Sequence, residues 1–261
     1  ESECKAGSGN PPNSRTAGRI ALLFQQEAMI MGGLFSEKAW AVVLAHKANF
    51  IQGFSVTVES AIGGILIATV LGILLGLMGV SSKRLPHAIN RIYVEAIQNT
   101  PLILQLCLLY YALSFSGHKI GILAAGIVSL GLYHGAYMAE VIRAGIEAVP
   151  RGQFEAADAQ GFNYTQKMAY IILPQTVKII LPPTVNQIGN LIKNTAVLYI
   201  IGGADLISST YNFVTGATTG GSYAPAYIVC GVLFFAICFP LSTLAGRWEA
   251  KLKAQDEMMN A

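Results

Sequence analysis

Charged side chains are scarce in this sequence, and a prominent group of them lies in one hydrophilic stretch, Val149–Gln175. This stretch carries Arg151, Glu155, Asp158 and Lys167 and separates two long apolar segments. Charges of both signs on a short water-exposed segment suit ion pairs and hydrogen bonds with another macromolecule. The pattern therefore favours a surface that a second protein grips from the aqueous side.

Local signals place this stretch on two short helices. Pro150 suits a first helical position, because its missing N–H has no partner to find there. Gly161 can end the helix in the left-handed conformation that other residues resist. The interval predicts a helix of about eleven residues, roughly 17 Å long, at about 149–161. Asn163 and Gln166 then predict a capping box at the start of a second helix.

The sequence contains no pattern that predicts catalysis. No GxxxxGK[ST] loop is present, so the chain does not hold nucleotide phosphates itself. There is no Ser/His/Asp constellation and no spacing that suits a metal site. The four cysteines have no CxxC spacing, and three lie in apolar runs, where buried thiols are expected. They are Cys4, Cys107, Cys230 and Cys238.

The composition indicates a membrane protein. Of the 261 residues, 12% are charged and 53% are hydrophobic, whereas soluble chains are about one-quarter charged. The formal net charge is only +3, from 17 basic and 14 acidic residues, which argues against a nucleic-acid partner.

We predict an all-α membrane protein with five transmembrane helices. The predicted spans are 53–79, 96–116, 120–139, 171–194 and 223–244. In the first span small residues recur at every fourth position, which lets another helix approach closely in lipid. They are Ser60, Gly64, Ala68, Gly72 and Gly76.

The remaining segments complete the domain organisation. Residues 1–48 are expected to form an external tether and one or two interfacial helices, 49–247 the transmembrane domain, and 248–261 a tail. Because the chain begins with Glu1 and not Met, we also expect an upstream segment.

Basic residues in the loops predict the orientation. With five spans, nine of them fall on one side of the membrane, which the positive-inside rule makes cytoplasmic. The hydrophilic stretch and the C-terminus are then cytoplasmic, and the N-terminus is outside. The nine are Lys83, Arg84, Arg91, Arg143, Arg151, Lys167, Arg247, Lys251 and Lys253.

Two groups of polar side chains inside the spans are candidates for a solute pathway, since polar groups in lipid are costly. The first group surrounds Pro101, which frees a backbone carbonyl, and the second forms a stripe that also contains Gln187. Bonds to neighbouring helices are the alternative role, and we expect His134 to be a bonded packing residue. The pathway candidates are Asn99, Thr100, Gln105, Asn186 and Asn190.

The hydrophilic stretch also resembles a known signature. EAADAQG, nine residues and then IILP match the cytoplasmic EAA signature of ABC importer permeases. Asn99-Thr100-Pro101-Leu102, LYHGAYMAEVIRAGIEAVPRGQ and LPPTVNQIGNLIKNTAV extend the match over most of 53–251. The sequence is similar to the histidine/glutamine permease family of polar amino acid importers, although Gln98 stands where that family usually has Arg.

The resemblance implies a non-catalytic permease subunit of a type I importer in a bacterial cytoplasmic membrane. The expected partners are ABC ATPase subunits that bind ATP and Mg, a second permease chain (identical or paralogous), and a binding protein, separate or fused upstream. The chain itself would need no cofactor.

It also implies roles for residues. The helix at 149–161 would be the coupling helix on which the ATPases push. Its coupling residues would be Arg151, Glu155, Ala156, Ala157, Asp158 and Gly161. Because an amino acid carries two opposite charges, Glu59 and Lys193 join the pathway candidates. The alternatives are an ABC permease for another small solute, such as an osmolyte, and a secondary transporter.

Overall fold

The structure is a computed structural model that describes residues 36–216 and 223–260. Within these ranges the chain is built from helices and contains no strand. The α-helices, in order, are α1 (Glu37–Ala45), α2 (Lys47–Gly79), α3 (Arg84–Gln98), α4 (Leu102–Phe115), α5 (Ile122–Glu147), α6 (Arg151–Ala159), α7 (Tyr164–Lys167), α8 (Leu173–Asn194), α9 (Leu206–Thr215) and α10 (Tyr223–Asn260). A π-helical turn, Met168–Ile172, joins α7 to α8, and a 3₁₀ helix, Thr195–Ile201, follows α8.

Four helical segments are long and apolar enough to cross a membrane: Lys47–Gly79, Ile122–Glu147, Tyr164–Ile201 and Tyr223–Leu252. The pair α3–α4 supplies the fifth crossing when it is taken as one broken span. The prediction of an all-α protein with a five-span core is confirmed.

The second predicted span differs from a straight helix. The chain bends by 99° between α3 and α4, and the break falls at Asn99–Pro101. The apolar helix α4 has 14 residues, or about 21 Å, against about 30 Å of hydrocarbon. Helix α4 is therefore too short to span the membrane alone. The break before it arises because Pro101 cannot donate the backbone hydrogen bond that would continue α3.

Other boundaries move outward from the predicted ones. The first span begins at Lys47, and α5 continues to Glu147. Helix α10 runs without interruption to Asn260, so the predicted tail is helical over 248–260. Of the N-terminal segment, residues 1–35 lie outside the described residues, as does Cys4, and α1 forms part of the remainder.

Helix α2 packs closely along α5 through the predicted stripe of small residues, all five of which are buried. A Cβ atom added to Gly76 would lie 2.8 Å from Cβ of Ile142, and one added to Gly64 would lie 3.1 Å from Cβ of Leu130. Real Cβ atoms essentially never come as close as 2.8 Å to another heavy atom and seldom as close as 3.1 Å. The two backbones therefore approach each other as only small residues allow.

The remaining helices assemble around this pair. Helix α8 packs between α5 and α10. At one end of α2, Phe50 contacts an apolar cluster that includes Val43 of α1 and Phe213 of α9. At the other end, Leu77 contacts a cluster that includes Ile146 and Met168. The short helix α6 belongs to this second end.

Candidate coupling surface and translocation cavity

Helix α6 occupies the centre of the hydrophilic stretch and is ended by Gly161. Gly161 has φ +79, the left-handed conformation predicted for it. Its N–H donates to the carbonyl of Asp158 (3.0 Å), and Phe162 N–H donates to that of Ala157 (3.1 Å). This pair of bonds is the Schellman motif that satisfies the final carbonyls of a helix. Pro150 precedes the first helical residue as the N-cap, one position earlier than predicted.

The turn that follows begins α7 through the predicted capping box. The Asn163 side chain accepts from Gln166 N–H (2.9 Å), and the Gln166 side chain accepts from Asn163 N–H (3.0 Å). Both bonds are local, so the sequence is sufficient to predict them. As a result α6 and α7 are joined by a tight turn with defined geometry at both ends.

Polar bonds fasten α6 to the segment that leads into α8. The Lys167 ammonium contacts both carboxylate oxygens of Asp158, at 2.6 and 2.8 Å. The Lys167 side chain is only 15% exposed, so this ion pair is partly shielded from water. The Gln175 amide also donates to the Gln153 side chain (3.2 Å). We call the Asp158–Lys167 ion pair the clip.

Apolar contacts also hold α6 against the rest of the protein. Ala157 is completely buried, and half-buried Phe154 packs on the cluster that contains Val149, Met168 and Ile172. One side of α6 is therefore held against the body of the protein, and the helix cannot move without moving these neighbours.

The opposite side of α6 faces water. Its exposed residues are Arg151, Gly152, Glu155, Ala156 and Ala159, and we call this set the outer face. Among the described residues, neither Arg151 nor Glu155 takes part in an ion pair. Of the six predicted coupling residues, Arg151, Glu155 and Ala156 thus lie on the outer face. Ala157 and Asp158 contact the permease itself, and Gly161 shapes the turn.

A polar cavity of about 390 Å³ lies between α5 and α8. Aromatic and imidazole rings come from α5, and amides with one ammonium group come from α8. The lining residues are Tyr133, His134, Tyr137, Gln187, Asn190, Lys193 and Asn194.

His134 is central to this cavity. It is 2% exposed, and its Nε2 lies 3.1 Å from the Asn194 amide nitrogen. If the Asn194 amide donates this bond, Nδ1 carries the imidazole proton. Nδ1 has no partner among the described residues. The expectation of a bonded histidine is thus met at one nitrogen, and the other is buried beside the lining of the cavity.

The tyrosines form the wall beside it. The Tyr133 and Tyr137 hydroxyl groups lie 3.1 Å apart, one helical turn from each other, and the Tyr133 ring meets His134 edge-on. Hydroxyls, amides and one ammonium in a small-molecule-sized space can bind a compact polar solute.

The structure places two of the predicted pathway residues, Asn190 and Lys193, in this cavity. Asn186 lies one turn before Asn190 on α8 and is exposed, but it is not a lining residue. Glu59 lies on α2 beside a separate apolar hollow of about 450 Å³, next to Val58 and Ile62. Glu59 and Lys193 are therefore not brought to one site.

The three candidates near Pro101 bond to backbone at the bend. Asn99 donates to the carbonyl of Glu95 (2.7 Å) and Thr100 to that of Ala96 (2.8 Å). The Gln105 amide donates to the carbonyls of Ile97 (2.9 Å) and Thr100 (3.0 Å). These side chains add hydrogen bonds to the carbonyls at the end of α3, where, in the described part of the chain, backbone N–H groups reach only those of Glu95 and Ile97.

Sequence reasoning missed the α5 wall of the cavity. Tyr133 and Tyr137 are spaced i, i+4, and Gln187, Asn190 and Asn194 follow i, i+3, i+7, so each set lies on one helix face. Those spacings were visible in the sequence. That the two faces meet depends on how α5 and α8 pack.

Comparison with known proteins identifies the family. Residues 68–254 match the model of the binding-protein-dependent transport system inner membrane component family. The chain belongs to this family. Its members are non-catalytic permease subunits of ABC transporters that lie in the inner membrane, and ATP is hydrolysed by separate subunits. A secondary transporter is therefore excluded.

Individual relatives share this assignment. The probable glutamine ABC transporter permease protein GlnM of Bacillus subtilis (strain 168) is 34% identical over 82% of this chain and 97% of its own length. The arginine transport system permease protein ArtQ of the same strain is 34% identical over 79% of this chain and 93% of its own length.

Solved structures agree with the fold. A crystal structure of an amino acid ABC transporter with histidines matches with a TM-score of 0.74 and 32% identity, covering 81% of this chain and 98% of that one. An inward-facing MetNI methionine ABC transporter matches with a TM-score of 0.58 and 19% identity over 82% of this chain and 99% of that one, which supports the fold alone.

The clip can be tested by charge reversal in the assembled permease–ATPase complex. Asp158→Lys or Lys167→Asp puts like charges together and should reduce transport-coupled ATP hydrolysis five- to tenfold, about 1 kcal/mol of lost positioning. The double reversal, Asp158→Lys with Lys167→Asp, should restore most of the activity. Membrane insertion serves as the control. A double variant as inactive as the single ones would contradict the clip.

Proposed function

We propose that this chain is the permease subunit of an ATP-driven importer for a polar amino acid, working by alternating access. Family membership supports the transporter class. The named relatives, which include glutamine and arginine permeases, support an amino acid as the substrate. They give no support to an osmolyte.

The observation that carries the proposal is the connection of α6 to both walls of the cavity. On one side, Ala148–Pro150 links α6 to α5, which supplies Tyr133, His134 and Tyr137. On the other side, the clip and the tight turn link α6 to α7 and α8, which supplies Asn190 and Lys193. A push on the outer face thus reaches both helices that enclose the solute.

The cavity has groups for both charged ends of an amino acid. The Lys193 ammonium can bind the carboxylate. The side-chain carbonyl oxygens of Asn190 and Gln187 can accept hydrogen bonds from the ammonium group. The faces of the tyrosine rings can also attract this cation. The side chain of a polar amino acid would use the remaining amide positions.

The family implies ATPase, permease and binding-protein partners. In our proposal the transporter has two ATPase subunits, which bind ATP and Mg, and one of them docks on the outer face of this chain through Arg151, Glu155 and Ala156. The second permease is an identical chain or a paralogue, and the binding protein is separate or fused upstream. Positive-inside loops put α6 and the C-terminal end of α10 in the cytoplasm and the N-terminus outside.

The same proposal assigns the domains and the bend. Residues 1–48 form the external tether and interfacial segment, 49–247 the transmembrane domain, and 248–261 the cytoplasmic tail. Asn99, Thr100 and Gln105 support the pathway by stabilising the bend beside it. Asn186, one turn from Asn190, and Glu59 would meet the solute only in a state with the helices rearranged.

Substrate-stimulated ATP hydrolysis tests the function. We expect the complex with its ATPase and binding partner, reconstituted in vesicles, to hydrolyse ATP several-fold faster with one or a few polar amino acids in a panel of twenty. Betaine and other osmolytes should give no stimulation. A response to osmolytes without any response to amino acids would contradict the proposal.

The cavity assignment has its own test. Asn190→Ala and Lys193→Ala should each raise the KM for uptake about tenfold or more, because each removes a hydrogen bond worth about 1.5–3 kcal/mol to a charged group. Lys178→Ala, on an exposed part of α8 away from the cavity, is the matched control. Unchanged KM and rate in both cavity variants would show that the solute passes elsewhere.

A further inference from the structure

A second polar cavity, of about 380 Å³, lies between α3 and the later turns of α5. Its lining includes Asn90, Arg91 and Glu95 from α3 and Glu140 and Arg143 from α5. We call it the α3–α5 cavity. It shares no lining residue with the cavity at His134, and its α5 residues lie within the three turns that precede α6.

Asn90 is the feature that points to a ligand. The residue is 3% exposed, and its Oδ1 has no hydrogen-bond partner among the described residues. Leaving a buried carbonyl oxygen unpaired costs about 1–3 kcal/mol. Gly79 leaves the space that the side chain occupies, since a Cβ atom added there would lie 2.8 Å from Asn90 Nδ2. Because Asn90 lines the cavity, a ligand that donated a hydrogen bond to this side chain would satisfy the unpaired oxygen.

The charges around Asn90 are balanced. Arg91 pairs with Glu95 at 2.8 Å, and Arg143 pairs with Glu140 at 2.8 Å. The arginines and glutamates of the wall thus balance, two cations against two anions, and His87 also lines it with Nδ1 2.8 Å from the Gly79 carbonyl oxygen. Such a wall favours neither a phosphate nor a metal cation, each of which needs an excess of the opposite charge. It suits a small molecule that carries one charge of each sign.

We propose that the α3–α5 cavity is a second binding site for a free amino acid. The ammonium group would donate to Asn90 Oδ1 and the Glu140 carboxylate, and the carboxylate group would accept from Arg91. The volume is within the range of small-molecule sites. The amino acid class rests on the proposed function, because the cavity itself specifies only a zwitterion.

Its position suggests what the bound amino acid does. Glu140 and Arg143 lie on α5, and Arg143 also pairs with Glu147 at the end of that helix (2.7 Å). A ligand on Glu140 would hold these last turns, which lead directly to α6. Accumulated amino acid on the side of the membrane that carries α6 would then slow the coupling movement. The site would act as a product sensor.

Equilibrium binding to the complete permease–ATPase complex in nanodiscs tests this inference. The probe is the radiolabelled amino acid that stimulates ATP hydrolysis most. We expect two sites per permease chain. Asn90→Leu, which removes the acceptor at similar volume, should weaken one of them at least tenfold, and Lys193→Ala should weaken the other. The same Asn90→Leu variant should lose inhibition of ATP hydrolysis by excess amino acid.

Asn90→Asp provides a test in the opposite direction. It keeps the shape of the side chain and adds a charge that attracts ammonium, so binding at this site should tighten several-fold. If the Asn90→Leu variant does not assemble with the ATPase, binding to the Asn90→Asp variant still tests the site. One site per chain, insensitive to both Asn90 variants, would overturn this inference alone. No amino acid binding at all would overturn the proposed function as well.

A lipid headgroup and a second permease chain could also occupy a polar cavity, and each would give a result that differs from that of an amino acid. If anionic lipid in the nanodisc, and not the amino acid, changes the response of the Asn90 variants, the cavity binds a headgroup. If crosslinking from Arg91→Cys captures a second permease chain, the cavity belongs to a subunit contact. Either result contradicts an amino acid site.

Discussion

The close packing of α2 on α5 is the constraint on which the rest of the structure depends. In lipid, apolar burial gives helices little reason to associate, so direct van der Waals contact must hold them. Gly64, Gly72 and Gly76 provide that contact by letting the side chains of α5 reach the α2 backbone. Because α5 is fixed in this way, its opposite side is presented to α8, and the polar cavity forms where the two meet. The same helix then carries on to the lining of the α3–α5 cavity and to α6.

Helix α6 is joined to the bundle at both ends and along one side. Covalent continuity binds it to α5, the clip and the turn at Gly161 bind it to α7, and the Gln175–Gln153 hydrogen bond binds it to α8, while Ala157 is buried. A nine-residue helix is too short to be stable alone in water, so its order comes from these contacts. The π-helical turn at Met168–Ile172 lies directly between α7 and α8, and such turns are frequent at functional sites. The contacts of α6 therefore connect it to both helices that line the cavity at His134 and, through Leu77 and Val80, to α2.

The features that could be predicted from the sequence are those that depend on local interactions. The capping box at Asn163 and Gln166, the left-handed Gly161 and the small-residue stripe each depend on neighbours within a few positions or on one helix face. The features that could not be predicted depend on how the helices pack together. The size of the bend between α3 and α4, 99°, depends on how both helices pack on α5, and the orientation of Ala157 depends on the docking of α6. The joining of His134 to Asn194 spans sixty residues of chain, and polar spacing on either helix alone does not reveal it.

Our central claim is that an ATPase subunit binds the outer face of α6, while the opposite side of this helix packs against the permease itself. Site-specific crosslinking measures this directly in a chain whose native cysteines have been replaced by alanine. A single cysteine is introduced at Ala156, which is exposed, or at its neighbour Ala157, which is buried. With a short crosslinker that carries a maleimide at one end and a photoreactive group at the other, we expect a permease–ATPase adduct from Ala156→Cys and little or none from Ala157→Cys. Equal adducts from both positions, or an adduct from Ala157→Cys alone, would contradict it.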